Sequence, residues 1–272
     1  MLGIYLDSVR KAEPLIHNIT NYVTVNDVAN ALLAAGASPI MADDPSDAEE
    51  ITAICSGLNI NIGTLNTRTI DAMFRAGRKA QDLGHTLLLD PVGAGASTLR
   101  THTAITLMQS LKFTVIRGNA SEIKTLVQGA GTTHGVDADK ADSVSDENLG
   151  FMVKFVKDFS ASSGAIVALT GAIDLVADSE RCYVIRNGRP EMGRITGTGC
   201  QLSGIMTAFV AANPEHKLDA AAASVCAMGL AGELAFSKLQ PGEGNSTYRN
   251  RIIDAVYCMT GEVLDGGAKY EV

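Results

Sequence analysis

The strongest chemical signal in this 272-residue chain is the run Ile195-Thr196-Gly197-Thr198-Gly199-Cys200. Directly after it, Leu202, Ile205, Met206, Phe209 and Val210 recur at the i, i+3, i+4, i+7, i+8 spacing of one helical face, which predicts an amphipathic helix. Two glycines before a helix let the backbone turn tightly and leave the first N–H groups bare. Those donors, with the positive end of the helix dipole, suit a phosphate or a developing anion. Cys200 then stands at the mouth of an anion site. The competing reading is a Gly-rich break before a buried helix.

Other reactive side chains fall where buried strands end. Thr86-Leu87-Leu88-Leu89-Asp90 is an apolar run that stops on an acid, followed by Pro91-Val92-Gly93. Phe113-Thr114-Val115-Ile116-Arg117 runs into Gly118-Asn119-Ala120-Ser121-Glu122, and Ala165–Leu169 runs into Thr170-Gly171. In parallel α/β sheets, ligands bind outside the carboxyl ends of the strands. An acid, a cation with an amide and a second acid, a hydroxyl and an anion-binding turn therefore share one rim. These are the parts for phosphoryl transfer: carboxylates to hold magnesium, a cation for the phosphates and donors at the transferring group. Taken singly, Asp90 reads as a turn residue, Glu122 as a helix start and Arg117 as a surface cation. Turn chemistry does not explain why they coincide.

The elements that would carry these groups alternate along the chain. Val25, Val28, Ala29, Leu32 and Leu33 form a helix face closed by Gly36, and extended runs follow at Pro39–Ala42 and Leu58–Ile62. Helical composition covers residues 68–82, 101–110, 121–129 and 147–160. Residues 129–146 are polar and acidic and read as a loop. Leu175–Ala177 and Cys182–Arg186 form a predicted antiparallel pair, and the remainder reads as helical. Strands apolar on both faces and separated by helices predict a mostly parallel sheet covered on both sides, in one α/β domain spanning 1–272.

Composition narrows the function classes. The chain is 46% hydrophobic and 19% charged, as packed globular proteins are. A net charge of −8 without a basic run argues against nucleic acid or an anionic membrane as partner. Five scattered cysteines without a Cys-x-x-Cys pair are the usage of a reduced, cytoplasmic protein. Met1–Lys11 lacks the apolar core of a signal peptide. The charge-free stretch Ala220–Gly232 is too short to span a bilayer.

Asn119-Ala120-Ser121-Glu122 combined with Gly197-Thr198-Gly199-Cys200 resembles the ribokinase-like small-molecule kinases. Within these the chain resembles the hydroxyethylthiazole kinase family of thiamine biosynthesis and salvage. The likeness extends to His17-Asn18-Ile19-Thr20-Asn21-Tyr22-Val23, Gly36-Ala37-Ser38-Pro39, Asn61-Ile62-Gly63-Thr64-Leu65 and Asp90-Pro91-Val92. It implies a ribokinase-like three-layer α/β/α sandwich and ATP-dependent phosphorylation of the primary alcohol of 4-methyl-5-(2-hydroxyethyl)thiazole. By that resemblance, Met41 and Gly197 contact the thiazole, with Thr196, Asn26 and Gly63 closing the pocket. Arg117, Thr170 and Asn119 bind ATP, and Asp90 and Glu122 organise Mg2+. A homotrimer with active sites between subunits is implied too.

Cys200 occupies the place where most ribokinase-like kinases carry an aspartate base. A helix N-terminus is expected to lower its thiol pKa, so it reads as the proton acceptor, against the alternative of a small spacer beside the hydroxyethyl arm. Gln201 departs from the apolar residue expected there, and its side chain is expected to point away from the site.

Three rivals differ in testable ways. A related kinase for hydroxymethylpyrimidine or another small alcohol is the closest rival, separable by testing substrates side by side. A dinucleotide-dependent oxidoreductase needs Gly-x-Gly-x-x-Gly, and neither 93–98 nor 197–202 supplies the third glycine. A non-catalytic thiazole- or nucleotide-binding protein would not need Asp90, Glu122 and Cys200 together.

Overall fold

The computed structural model describes residues 1–129 and 143–272, so residues 130–142 of the expected polar loop lie outside the described residues. Among the described residues, nine strands form one sheet: β1 (Leu15–Ile19), β2 (Ser38–Met41), β3 (Gly57–Asn61), β4 (Thr86–Asp90), β5 (Val115–Asn119), β6 (Ile166–Thr170), β7 (Asp174–Ala177), β8 (Cys182–Ile185) and β9 (Tyr270–Glu271). Their order is β2-β1-β3-β4-β5-β6-β7-β8-β9. The first six are parallel and the last three pair antiparallel.

Alternation along the strands sends side chains to two separate cores. Leu87 and Leu89 join one and Leu88 the other; Ile116 and Val115 divide in the same way. The Leu88 side is covered by α1 (Gly3–Ala12), α2 (Val25–Ala35), α8 (Thr198–Ala212), α9 (Lys217–Ser237), α10 (Asn245–Cys258) and α11 (Gly261–Gly267). The Leu89 side is covered by α3 (Ala48–Ile54), α4 (Thr67–Asp82), α5 (Thr98–Ser110), α6 (Ala120–Gly129) and α7 (Leu149–Ser163). The expected three-layer sandwich is the observed one.

Several local expectations are corrected. The helix after the glycines is not amphipathic: α8 is buried on every side from Cys200 to Val210, lying across β1, β3 and β4 and packing against α2 and α9. Leu33 points outward, 56% exposed, while Ala31, Ala34 and Ala35 are buried with Val28 and Leu32. The charge-free stretch sits within a helix of 21 residues, long and apolar enough by length to cross a membrane, but α9 is mostly buried within the protein. The C-terminal part is not all helix, since β9 closes the sheet edge and a 3-10 turn spans Pro190–Arg194. β1 has no apolar run to announce it. His17 and Asn18 are fully buried there, with His17 bonded to Thr52 Oγ1 at 2.8 Å and the Ala42 carbonyl at 2.7 Å.

Candidate active site

Strand periodicity decides which groups meet. Asp90 is two residues beyond Leu88, Asn61 two beyond Asn59 and Arg117 two beyond Val115, so all three face α8. The register places Asn61 beside Asp90, and Asn119 beside Thr170. Arg117 Nη2 donates to Thr170 Oγ1 at 2.8 Å, and Nη1 lies 3.4 Å from Asp90 Oδ1.

The first turn of α8 closes over these strand ends. Gly197 caps the helix at φ +88°, and a Cβ there would run into the Thr24 side chain. A Cβ on Gly199 would stand 2.7 Å from both terminal nitrogens of Arg117. The two glycines therefore do different work, one setting the turn and the other admitting the guanidinium to the helix backbone. From the next turn of α8, Ser203 Oγ donates to Asp90 Oδ2 at 2.8 Å.

Cys200 is buried and its sulfur accepts two amide donors, Asn21 Nδ2 at 3.1 Å and Asn61 Nδ2 at 3.3 Å. Asn61 Nδ2 also donates to Asp90 Oδ2 at 2.8 Å, and its Oδ1 accepts from the Gly63 N–H at 2.9 Å and from Asn21 at 3.1 Å. Arg100 Nη2 holds the Gly63 carbonyl at 2.7 Å. The expected lowering of the thiol pKa is not the net outcome. Burial, then the Asp90 charge, push the Cys200 thiol up, against the hydrogen bonds of Thr24 and Asn21 and the charge of Arg117. Asp90 is fully buried, and desolvation pushes its carboxyl up to about 6; Arg117, Ser203 and Asn61 oppose this while Glu122 adds to it.

Glu122 and Asn119 cap α6 reciprocally. The Glu122 N–H donates to Asn119 Oδ1 at 2.9 Å, and Glu122 Oε2 accepts the Asn119 N–H at 2.8 Å. Glu122 Oε1 accepts the Gly93 N–H at 2.9 Å. Asn119 therefore spends its side-chain oxygen on the helix. The Glu122 charge reaches Asp90 across this rim and helps push its carboxyl up. Among the described residues no group of three or more His, Cys, Asp or Glu gathers to hold a metal. Two hard carboxylates on the rim beside the α8 N-terminus nevertheless fit magnesium, which takes one or two protein oxygens and completes its shell with phosphate and water.

A cavity of about 480 Å³ opens beside the turn. Its polar wall includes Arg117, Thr170, Asp174, Thr198 and Gly199, and Val225 and Met228 from α9 supply apolar surface. Cys200, Asn21 and Asn61 gather on a different side of the α8 turn. Arg117 touches both regions, through the cavity wall and through Asp90. Gly63 is at the Cys200 side, within reach of Asn21 and Asn61. Met41 ends β2 half-buried against the α8 core, and Thr196 is exposed just before the turn. Asn26 is not brought to this cluster: it sits on the exposed face of α2, where its carbonyl and Oδ1 both accept from Asn30.

Asn21, Asn61, Ser203, Arg100 and Asp174 were not predicted as site residues. Asn61 could have been found by reading the end of β3 as the other strand ends were read, and Ser203 by its place three residues after Cys200 on one helical face. Gln201 is buried with neither side-chain polar atom hydrogen-bonded among the described residues.

A mostly parallel sheet between two helical layers, with the glycine turn of α8 over its carboxyl rim, defines a ribokinase-like fold. A solved ribokinase-like superfamily protein from Enterococcus faecalis V583 shares this fold, with a TM-score of 0.62 and 15% identity over 93% of this chain and 88% of that one. The hydroxyethylthiazole kinase family model matches residues 6–262, and the chain belongs to that family. It is 58% identical to a hydroxyethylthiazole kinase of Clostridium acetobutylicum over 100% of this chain and 99% of the relative. A solved hydroxyethylthiazole kinase structure from Pyrococcus horikoshii OT3 superposes with a TM-score of 0.87 at 33% identity, covering 99% of this chain and 98% of that one.

Proposed function

We propose that this chain is an ATP-dependent kinase that phosphorylates the primary alcohol of 4-methyl-5-(2-hydroxyethyl)thiazole. The observation that carries this reading is the Arg117 bridge. One guanidinium lies in the wall of a nucleotide-sized cavity, against the first turn of α8, and beside the carboxylate bonded to the Cys200 cluster. The triphosphate would lie along Arg117, Thr170 and the Thr198–Gly199 backbone, with the thiazole on the Cys200 side near Gly63, Gly197 and Met41.

In the reaction, the substrate hydroxyl oxygen bonds to the γ-phosphorus while the bond from that phosphorus to the β,γ-bridging oxygen breaks. ADP leaves with the electron pair. Bare N–H groups of the α8 turn and the Arg117 guanidinium neutralise charge on the transferring group. Cys200 receives the hydroxyl proton in this reading. Only the Cys200 thiolate can take it; burial and Asp90 make that form the minor one near neutral pH but a stronger base, and a loose transition state needs the base only late. Asp90 and Glu122 would hold Mg2+, which when bound supplies charge neutralisation on the phosphates.

Assembly as a homotrimer with sites between subunits is part of the same reading. Tyr22 and Val23 support it, being 78% and 59% exposed immediately after Asn21 at the site rim. Asn26, turned outward three residues later, would meet a neighbouring subunit's site rather than its own. A cytoplasmic location is supported by five cysteines that are all unpaired.

Calorimetry with the thiazole and a non-hydrolysable ATP analogue, together with mass spectrometry of a separate reaction run with the thiazole, ATP and magnesium, tests the function. Binding of both ligands and formation of thiazole phosphate are expected. Turnover of hydroxymethylpyrimidine in preference to the thiazole would replace the substrate, and binding without product would leave a non-catalytic protein. Sedimentation of a fully active monomer would remove the shared site.

A further inference from the structure

Asp174 stands in the wall of the cavity at the start of β7, and the phosphoryl chemistry above leaves it unused. Its Oδ1 accepts the Gly171 N–H at 2.8 Å, closing the turn from β6 to β7. Among the described residues the other carboxylate oxygen accepts no hydrogen bond and remains for a ligand. Burial pushes this carboxyl up to about 7, with the Gly171 N–H and Arg117 acting the other way. A carboxylate so placed gains from a new donor.

A nucleoside triphosphate offers donors in two places, the ribose hydroxyls and the exocyclic amine of the base. Its phosphates repel a carboxylate and belong with Arg117 and the bare N–H groups of the α8 turn. Its base belongs against the apolar surface of Val225 and Met228. Asp174 shares the polar wall with Thr170 and Arg117, so the sugar is the part that passes it. We infer that Asp174 is a nucleotide-specificity residue, accepting a hydrogen bond from a ribose hydroxyl of the bound triphosphate. This deepens the proposed kinase reading and rests on it.

The experiment compares KM for ATP, 2′-deoxy-ATP, 3′-deoxy-ATP and inosine triphosphate in the native enzyme and in Asp174→Asn. Asparagine keeps an oxygen for the Gly171 N–H, and circular dichroism checks that the variant is folded. The native enzyme is expected to discriminate against one deoxy analogue by about tenfold, roughly 1.4 kcal/mol. Charge-assisted bonds are about twice as strong as neutral ones, so Asp174→Asn should shrink this to about threefold. KM for that analogue should stay put. Native KM values equal for ATP and both deoxy analogues would overturn the inference without any variant. So would an Asp174→Asn loss equal for all nucleotides, or one confined to the comparison with inosine triphosphate. Arg117→Met separates the two levels. If it weakens ATP while sugar discrimination is insensitive to Asp174, only the Asp174 role fails; if it leaves ATP binding unchanged, the nucleotide reading fails.

Discussion

The Asn61 side-chain amide donates to the Cys200 sulfur at 3.3 Å, and the same nitrogen donates to Asp90 Oδ2 at 2.8 Å. One amide thus ties the candidate base to the candidate metal carboxylate. Asn61→Ala removes both bonds and leaves a buried carboxylate with one donor fewer. It should lower kcat by on the order of tenfold or more and destabilise the fold by about 1–3 kcal/mol. It should also raise the pH at which Cys200 is alkylated, because a donor to the sulfur favours the thiolate. Mass spectrometry of iodoacetamide labelling reads that shift at Cys200 separately from the exposed Cys258. An unchanged labelling profile with a reduced melting temperature would make Asn61 a packing residue.

Arg117→Met keeps the apolar stem and removes the cation. Apparent ATP affinity should weaken by tenfold or more while thiazole affinity changes less, since the nucleotide carries the negative charge. Asp90 loses its opposing cation as well, so its carboxyl should rise further above about 6. Equal losses for both ligands, measured by calorimetry, would assign Arg117 to folding.

The carboxyl rim of the sheet was legible from the sequence because its strands end on unlike groups. Asp90, Arg117 and Thr170 each follow a run too apolar to be anything but a buried strand. The Asn21–Asn61–Cys200 cluster was not legible as chemistry. Its members lie 40 and 139 residues apart, and amides read as turn residues until a register brings them together. β1 was hidden for a related reason, because His17 and Asn18 satisfy their polarity inside the protein and break the apolar pattern. The all-round burial of α8 escaped detection because alanine, serine and threonine on its remaining faces look polar or neutral in sequence while packing as small core residues. The thiol direction was missed because a helix terminus is visible in sequence and desolvation is not.

Gln201 is buried and its amide has no hydrogen-bond partner among the described residues. Gln201→Met keeps the length and removes the unsatisfied polarity. It should stabilise the chain by about 1 kcal/mol, raising the melting temperature by roughly 2–4 °C. A lower melting temperature would show that the amide is bonded in the native assembly.

Stability should fall as pH rises through neutrality at Asp174. Its carboxyl titrates near 7 when folded, against about 3.9 in an unfolded chain. Between those values the folded state holds a proton that the unfolded state has released, so raising the pH favours unfolding. Asp90, at about 6, acts in the same direction. Because the cavity admits water, the Asp174 share is on the order of 1 kcal/mol, or about 2–4 °C. Melting temperatures at pH 5 and pH 8 should therefore converge in Asp174→Asn relative to the native chain. An identical pH dependence in both would mean that Asp174 is ionised in the fold throughout this range.

Cys200 as base and Cys200 as spacer predict different variant series. Serine keeps the approximate size but offers a hydroxyl whose pKa is far too high for a thiolate-like role. Aspartate restores the kind of base the wider fold uses, though it stands near Asp90 and the incoming phosphate. If the sulfur accepts the proton, Cys200→Ser and Cys200→Ala should both lose on the order of 10²-fold or more in kcat with little change in thiazole binding. Cys200→Asp should retain substantial activity. Because burial and Asp90 hold the thiol up, the native rate should climb with pH along a limb that the aspartate variant lacks in the same range. Asp90→Asn should draw Cys200 alkylation to lower pH, since it removes the charge that opposes the thiolate. If serine and alanine instead keep nearly the full rate, Cys200 only makes room for the substrate arm. The N–H groups of the Gly197–Gly199 turn, with Arg117, would then carry the acceleration, and the substrate proton would leave by another route.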